Sequence, residues 1–251
     1  MIRLIPVASG SSGNCIFIEM GGHRVIADIG VSYKMLSIAL KKNGFTPDDA
    51  EALMITHTHS DHVKGLETWR KKSAAPIFAS GTTLRNLCLP EDGELPYYTP
   101  VEIFPGLAVT SFRTSHDCMG SAGFLFRSGG TSLGLATDLG FMGDEILQVL
   151  SGAENIIIES NHDEDMLRYG KYPYPLKRRI LSESGHLSNA DCAEAMKLLA
   201  ASGTKHFFLA HLSRENNTPE LALASARSAL DGTGTDVQAF PVYGDEIITL
   251  G

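Results

Sequence analysis

Ile55-Thr56-His57-Thr58-His59-Ser60-Asp61-His62 follows the short apolar run Ala52-Leu53-Met54, so a buried strand here runs straight into a cluster of metal-binding side chains. Ser60 can cap a helix that carries Val63, Leu66 and Trp69 on one side, which places the cluster on a strand-to-helix turn. In an extended segment side chains repeat every second residue, so His57 and His59 point the same way, while Asp61 and His62 fall on the first helical turn. One turn can then serve two adjacent cations. Imidazole and carboxylate suit borderline divalent ions such as Zn²⁺, Mn²⁺ or Fe²⁺. The chain has nine histidines, and three of them fall within this one turn, which is poor material for a mere solvated linker.

Working outward, 251 residues with 43% apolar content suffice for a substantial core, and we expect one domain spanning 1–251. The N-terminus has no signal-peptide pattern, and no apolar run is long enough to span a bilayer, so the expectation is a cytoplasmic protein with no membrane partner. Cys15, Cys88, Cys118 and Cys192 are far apart and form no C-x-x-C pair, which argues against a disulfide framework. A formal charge of −8 gives no general attraction to nucleic acid, so any polyanion must be drawn by local patches. Nothing in the residues fixes an oligomeric state.

The remaining pattern alternates strands and helices. Arg3 to Val7, Cys15 to Met20 and Arg24 to Ala27 read as strands, the first two joined by the Gly/Ser turn Ala8 to Asn14. Tyr33 to Asn43 has helical spacing closed by Gly44. Strands then follow at 77–79, 101–103, 108–114, 123–127, 132–137, 155–158 and 205–210, with helices from Asp144, Ser188 and Thr218. Residues 160–179 lack a clear period and read as a long loop or cover over a cleft, and 236–250 reads as a closing hairpin turned at Gly244-Asp245. Two strand-rich halves, each finishing in helices, imply an α/β fold of two mixed sheets packed face to face with helices outside, an αββα sandwich.

Asp28, His57, His59, Asp61, His62, His116, Asp138, Glu159 and His211 all follow apolar strands or stand on a strand-to-helix turn. Strand ends can converge on one rim of a sandwich, so repeated placement there points to a shared site.

In this order and spacing the residues resemble the metallo-β-lactamase superfamily over nearly the whole chain. The resemblance implies that His57, His59 and His116 hold one metal ion, that Asp61, His62 and His211 hold a second, and that Asp138 bridges both. Asp28 would orient the site through hydrogen bonds. It also implies hydrolysis by a hydroxide shared between two ions about 3.5–4 Å apart. Glu159-Ser160-Asn161-His162, Gly185-His186-Leu187-Ser188-Asn189 and His211-Leu212-Ser213-Arg214 look like motifs of ribonuclease Z and related phosphodiesterases. By that likeness Glu159 orients His186, His186 acts as general acid, and Asp61 joins them in catalysis. Ribonuclease Z differs in the spacing beyond its last histidine, and this chain shows no long inserted arm for gripping transfer RNA.

The opening turn Ser9 to Cys15 and the Glu159 and Gly185 motifs together resemble the YycJ (WalJ-like) group. That likeness implies a cytoplasmic, metal-dependent 5′-to-3′ exonuclease with DNA favoured over RNA as its partner. The cofactors would be two divalent ions, zinc or manganese ahead of iron. Residue types and spacing alone reach only to metal-dependent hydrolysis. Ser11, Asn14, Lys177, Arg178 and Arg214 are candidate substrate contacts, the basic Arg168 to Arg179 stretch with its tyrosines being equally readable as a solvated loop. Three other readings compete: an RNA-processing nuclease, a hydrolase of small esters or lactones with the same metal core, and a metal-containing binding module without turnover.

Overall fold

The computed structural model describes residues 1–250. Its first half runs β1 (Ile2–Ala8), β2 (Cys15–Met20), β3 (His23–Ala27), α1 (Tyr33–Lys42), β4 (Ala52–Met54), α2 (Ser60–Val63), α3 (Leu66–Lys72), β5 (Ile77–Phe78) and α4 (Gly81–Asn86). The second half runs β6 (Pro100–Phe104), β7 (Leu107–Arg113), β8 (Ala122–Ser128), β9 (Thr131–Ala136), α5 (Asp144–Leu150), β10 (Asn155–Glu159), α6 (Glu164–Tyr169), α7 (Tyr174–Ile180), α8 (Asn189–Ala201), β11 (His206–Ala210), α9 (Pro219–Ala229), β12 (Asp236–Ala239) and β13 (Ile248–Leu250). They form a six-stranded sheet ordered β13-β1-β2-β3-β4-β5 and a seven-stranded sheet ordered β12-β11-β10-β9-β8-β7-β6. The expected αββα sandwich is the observed architecture.

Its strands read as continuous apolar runs because both of their faces are buried. Ile157 and Phe208 point into the layer between the sheets, where they meet Leu4, Ile18 and Met54. Their neighbours Ile156, Ile158, Phe207 and Leu209 point outward against Met196 and Leu199 of α8. On the far side Phe17, Ile26 and Leu53 pack under Leu36 and Leu40 of α1 and Trp69 of α3.

Both sheets are mixed. β3 and β4 are parallel, as are β9, β10, β11 and β12. The carboxyl ends of parallel strands are where an α/β protein leaves its backbone free to turn, and ligand sites gather there. Asp28, the 55–62 turn, Asp138, Glu159 and His211 all lie at those ends.

Four expectations are corrected. Ser60 opens α2 rather than capping it, since His59 is the cap residue. The expected single helix also breaks in two at Gly65, where a Cβ would lie 2.4 Å from the Val31 carbonyl oxygen. The tail is no hairpin. β12 joins β11 in one sheet and β13 joins β1 in the other, because Phe240 and Leu250 are both drawn into the layer between the sheets from opposite edges. Residues 160–179 carry two short helices, α6 and α7, rather than an irregular loop. No helix among the described residues is long and apolar enough to cross a membrane, and all four cysteines are free.

Glu19 of β2 lies opposite Arg3 on one neighbouring strand and Arg24 on the other. Partial burial raises its carboxyl, but hydrogen bonds and charge from both guanidiniums outweigh that and hold it below the usual range. A depressed folded value means stability that is present above the unfolded carboxylate range and lost as pH falls through the folded value. Glu19→Gln is expected to cost about 1 kcal/mol at neutral pH. Urea unfolding at several pH values checks this: the gap between the two proteins should close as pH drops below about 4.

Candidate metal centre

The turn after β4 is held from below. Asp28 is buried and accepts hydrogen bonds from the Thr56 amide at 2.9 Å and the Thr56 hydroxyl at 2.8 Å, and its Oδ2 lies 2.7 Å from His62 Nδ1. With Nδ1–H donating to Asp28, His62 Nε2 is left as an acceptor facing the site. Gly30 lets the β1–β2 turn close over this loop, since a Cβ there would sit 1.5 Å from the Asp61 carbonyl oxygen.

The structure brings His57, His59 and His116 into one group that could hold a cation, and Asp61, His62 and His211 into a second. Asp138 stands between them, 3.3 Å from His62 Nε2, 3.5 Å from His211 Nε2 and 3.9 Å from His116 Nε2. His116 Nδ1 donates to the Gly185 carbonyl at 3.1 Å, which turns its Nε2 inward.

Glu159, fully buried, has a double task. Its Oε1 accepts from His186 Nδ1 at 2.7 Å and from His211 Nδ1 at 2.8 Å, while Oε2 accepts the Leu139 and Leu187 amides at 3.0 and 3.3 Å. The sequence reading gave Glu159 to His186 alone, and its hold on His211 was not foreseen. Four donors keep this carboxyl ionised although burial opposes charge. Burial likewise lowers His186, but the Glu159 charge and hydrogen bond win and the ring is raised above its ordinary value. Burial and then the surrounding imidazoles push His57 well down.

Asp28, Asp138 and His211 all have left-handed backbones, with φ of 58°, 57° and 56°. Non-glycine residues adopt this region at a cost of order 1–3 kcal/mol and do so where the surroundings dictate it. The Ser9 hydroxyl accepts the His211 amide at 2.8 Å, and Asn161 Nδ2 donates to the His211 carbonyl at 2.9 Å.

A cavity of about 240 Å³ opens over these groups. Ser11, His59, Asp61, His116, Asp138, His186 and His211 line it, with Tyr172, Leu176 and Arg179 of the α6–α7 cover forming another wall. Among the sequence candidates for substrate contact, only Ser11 faces it. The Asn14 amide instead turns inward, 2.9 Å from His62 Nε2. Lys177 spends its ammonium on the Arg168 and Gly170 carbonyls at the end of α6. Arg178 is exposed and does not line the cavity, and Arg214 packs on Tyr243. Arg179, the end of the basic stretch, does reach the cavity and pairs at its mouth with Asp117, whose Oδ1 lies 3.5 Å from His59 Nε2; Asp117 was not among the candidates, and its one sequence signal was its place after His116.

Fit to cations can be judged from unsatisfied atoms. His57 Nε2, Asp138 Oδ2 and His211 Nε2 are buried without a hydrogen-bond partner, and all three point into the cage. Orphaned polar atoms in a core are costly, and a nitrogen-and-carboxylate cage is the donor chemistry of borderline divalent metals. The residues fit the group.

Comparison with known proteins agrees with this architecture. Residues 23–212 match the family profile of the beta-lactamase superfamily domain. The chain is 36% identical over 244 residues to exodeoxyribonuclease YycJ of Bacillus anthracis, covering 94% of this chain and 92% of that protein. It is 34% identical over 256 residues to exodeoxyribonuclease WalJ of Streptococcus pneumoniae, covering 97% and 95% respectively. Among solved structures, the metallo-beta-lactamase fold protein YhfI from Bacillus subtilis superposes with a TM-score of 0.73 at 14% identity, over 98% of both chains.

Metal removal should therefore loosen the whole rim. Exhaustive chelation is expected to lower the melting temperature by about 5–15 °C, and Zn²⁺ or Mn²⁺ should restore it. Scanning calorimetry checks this, and Asp138→Asn should shrink the chelator-dependent shift.

Proposed function

The chain belongs to the metallo-β-lactamase superfamily, in its YycJ/WalJ group, and on that premise we propose that it is a metal-dependent phosphodiesterase that degrades DNA from an end, in the 5′-to-3′ direction, inside the cell. The relatives named as exodeoxyribonucleases support the substrate. The observation that carries the chemistry is the shared carboxylate of Glu159, which binds a ligand-type imidazole, His211, and a cavity-facing one, His186, through the same oxygen.

In this reading His57, His59 and His116 would hold one divalent ion and Asp61, His62 and His211 a second, with Asp138 available to either, zinc or manganese being the best matched to the donors. Bound there, such ions supply Lewis acidity to the phosphoryl oxygens and lower the pKa of water to near neutral.

The chain's own part is positioning and proton transfer. Glu159 accepts at His186 Nδ1, so the proton on His186 Nε2 faces the cavity. When the phosphorus–oxygen bond breaks, the departing sugar oxygen needs a proton, and His186 is placed to give it. The Glu159 charge favours the protonated ring before the step and stabilises its orientation afterwards. Asp28 and Thr56 fix His62, and Gly185 fixes His116, so that donors are aimed before substrate arrives. A thioester hydrolase has less use for such an acid, because its thiolate leaving group is far less basic than a sugar alkoxide.

His59→Ala is expected to abolish cleavage of labelled DNA. His186→Ala should retain its metal, measured by atomic emission, while kcat falls about 10²- to 10⁴-fold. That deficit should shrink on a nitrophenyl phosphodiester, whose leaving group needs no proton. Substrates blocked at the 5′ or the 3′ end test direction, and loss of cleavage with the 3′ block alone would contradict the proposed polarity.

A further inference from the structure

The α6–α7 cover is a weaker candidate for holding the strand than its composition implies. Of its five basic side chains, Lys177 is committed to backbone carbonyls, Arg179 to Asp117 and Arg168 to Glu164, which leaves Lys171 and Arg178. The opposite rim is different. Ser11 and Ser213 line the metal cavity, and the next residue from each, Ser12 and Arg214, stands against Tyr243. The Arg214 guanidinium lies 4.9 Å from the centre of the Tyr243 ring. Two separate segments thus connect the cavity wall to this one side chain.

Tyr243 is rigid at its base and open at its ring. Its backbone bridges to Ala8 of β1, the Ser9 amide donates to the Val242 carbonyl at 3.1 Å, and the Gly244 amide donates to the Val7 carbonyl at 3.2 Å. The residue is nonetheless 47% exposed. Its ring also walls a second cavity of about 340 Å³, with Lys34, Met35 and Ile38 of α1. Lys64 and Arg214 add positive charge at the phenol, and the one carboxylate in that groove, Asp245, is paired with Lys42. An apolar-floored groove with an aromatic wall and unmatched cations next to a phosphodiesterase cavity is complementary to a nucleotide: base on the ring, phosphates on the cations.

Resting on the nuclease reading, we propose that Tyr243, backed by Arg214, is a base-stacking platform for single-stranded DNA, and that the strand runs from the metal cavity across this ring into the groove beside α1. The platform sets the preference for a strand over a lone nucleotide. Because stacking on an aromatic ring is tolerant of base identity, it confers length preference without sequence preference.

The test uses metal-loaded protein and two substrates, a nitrophenyl ester of a single nucleotide and a short single-stranded oligodeoxynucleotide carrying 2-aminopurine, whose fluorescence is quenched on stacking. Tyr243→Ala is expected to raise KM for the oligonucleotide about 5- to 100-fold with little change in its kcat. The same variant should lose the 2-aminopurine quench on binding, and Tyr243→Phe should restore both. Arg214→Ala should weaken oligonucleotide binding and its salt dependence together. Wild-type protein that cleaves neither substrate would sink the nuclease reading. An active wild type whose Tyr243→Ala variant keeps its KM and its quench would overturn the platform alone. So would sedimentation showing that the groove is covered by a second copy of the chain, released by Tyr243→Ala with the quench intact.

Discussion

A single carboxylate, Asp138, sits 2% exposed at the seam of the two sheets, with imidazoles from both sides aimed at it. A charge removed from water this completely must be matched by opposite charge, or the fold loses several kcal/mol. Five ligand-type histidines are arranged around that demand, and Asp28 and Glu159 hold two of them, His62 and His211, through their other ring nitrogens. His62 arrives from the six-stranded sheet and His211 from the seven-stranded one, so the electrostatic constraint also joins the two layers at their open rim.

Holding so many polar groups in register calls for backbone that neighbouring segments dictate. β9, β10 and β11 are parallel, with Ile158 opposite both Ala136 and Leu209, so Asp138, Glu159 and His211 leave adjacent strands at nearly one level. Asp138 and His211 then turn through left-handed conformations that would relax if their contacts were absent. Ser9 and Asn161 grip His211 from two sides, and Gly30 allows the Asn14 segment to lie directly on the Asp61 backbone. The hydrogen bonds around the cage therefore fix aim, and the strain they overcome is a measure of how firmly.

The strand ends were readable because each combines an apolar run buried on both faces with an abrupt ligand-type residue, a local signal that survives without coordinates. What escaped reading was tertiary. Val237 to Phe240 and Ile248 to Leu250 carry the same apolar alternation as a hairpin, and only the vacant edges beside β11 and β1 send them to different sheets. The break at Gly65 depends on the close passage of the Ile29 to Val31 loop. Lys177 looked free because basic side chains usually are, and its capping of α6 requires the turn at Gly170 to exist first. The second hydrogen bond of Glu159, to His211, joins residues 52 positions apart and leaves no trace in spacing.

That misplaced tail explains how an acidic chain can meet a polyanion. The crossing from β12 to β13 passes over the rim and carries Tyr243 to Ser12 and Arg214, a meeting of three distant segments. A net charge of −8 repels DNA at long range, but that repulsion is screened beyond about 8 Å at physiological salt. Within that distance only the local distribution counts. Of the four acidic side chains at the site, Asp61 and Asp138 face the cage and Asp28 and Glu159 are spent on the histidines behind it, while Lys34, Lys64 and Arg214 face outward around an aromatic ring. The sign of the whole molecule and the sign of the path next to its catalytic pocket are therefore independent, and the path is what a strand end senses on arrival.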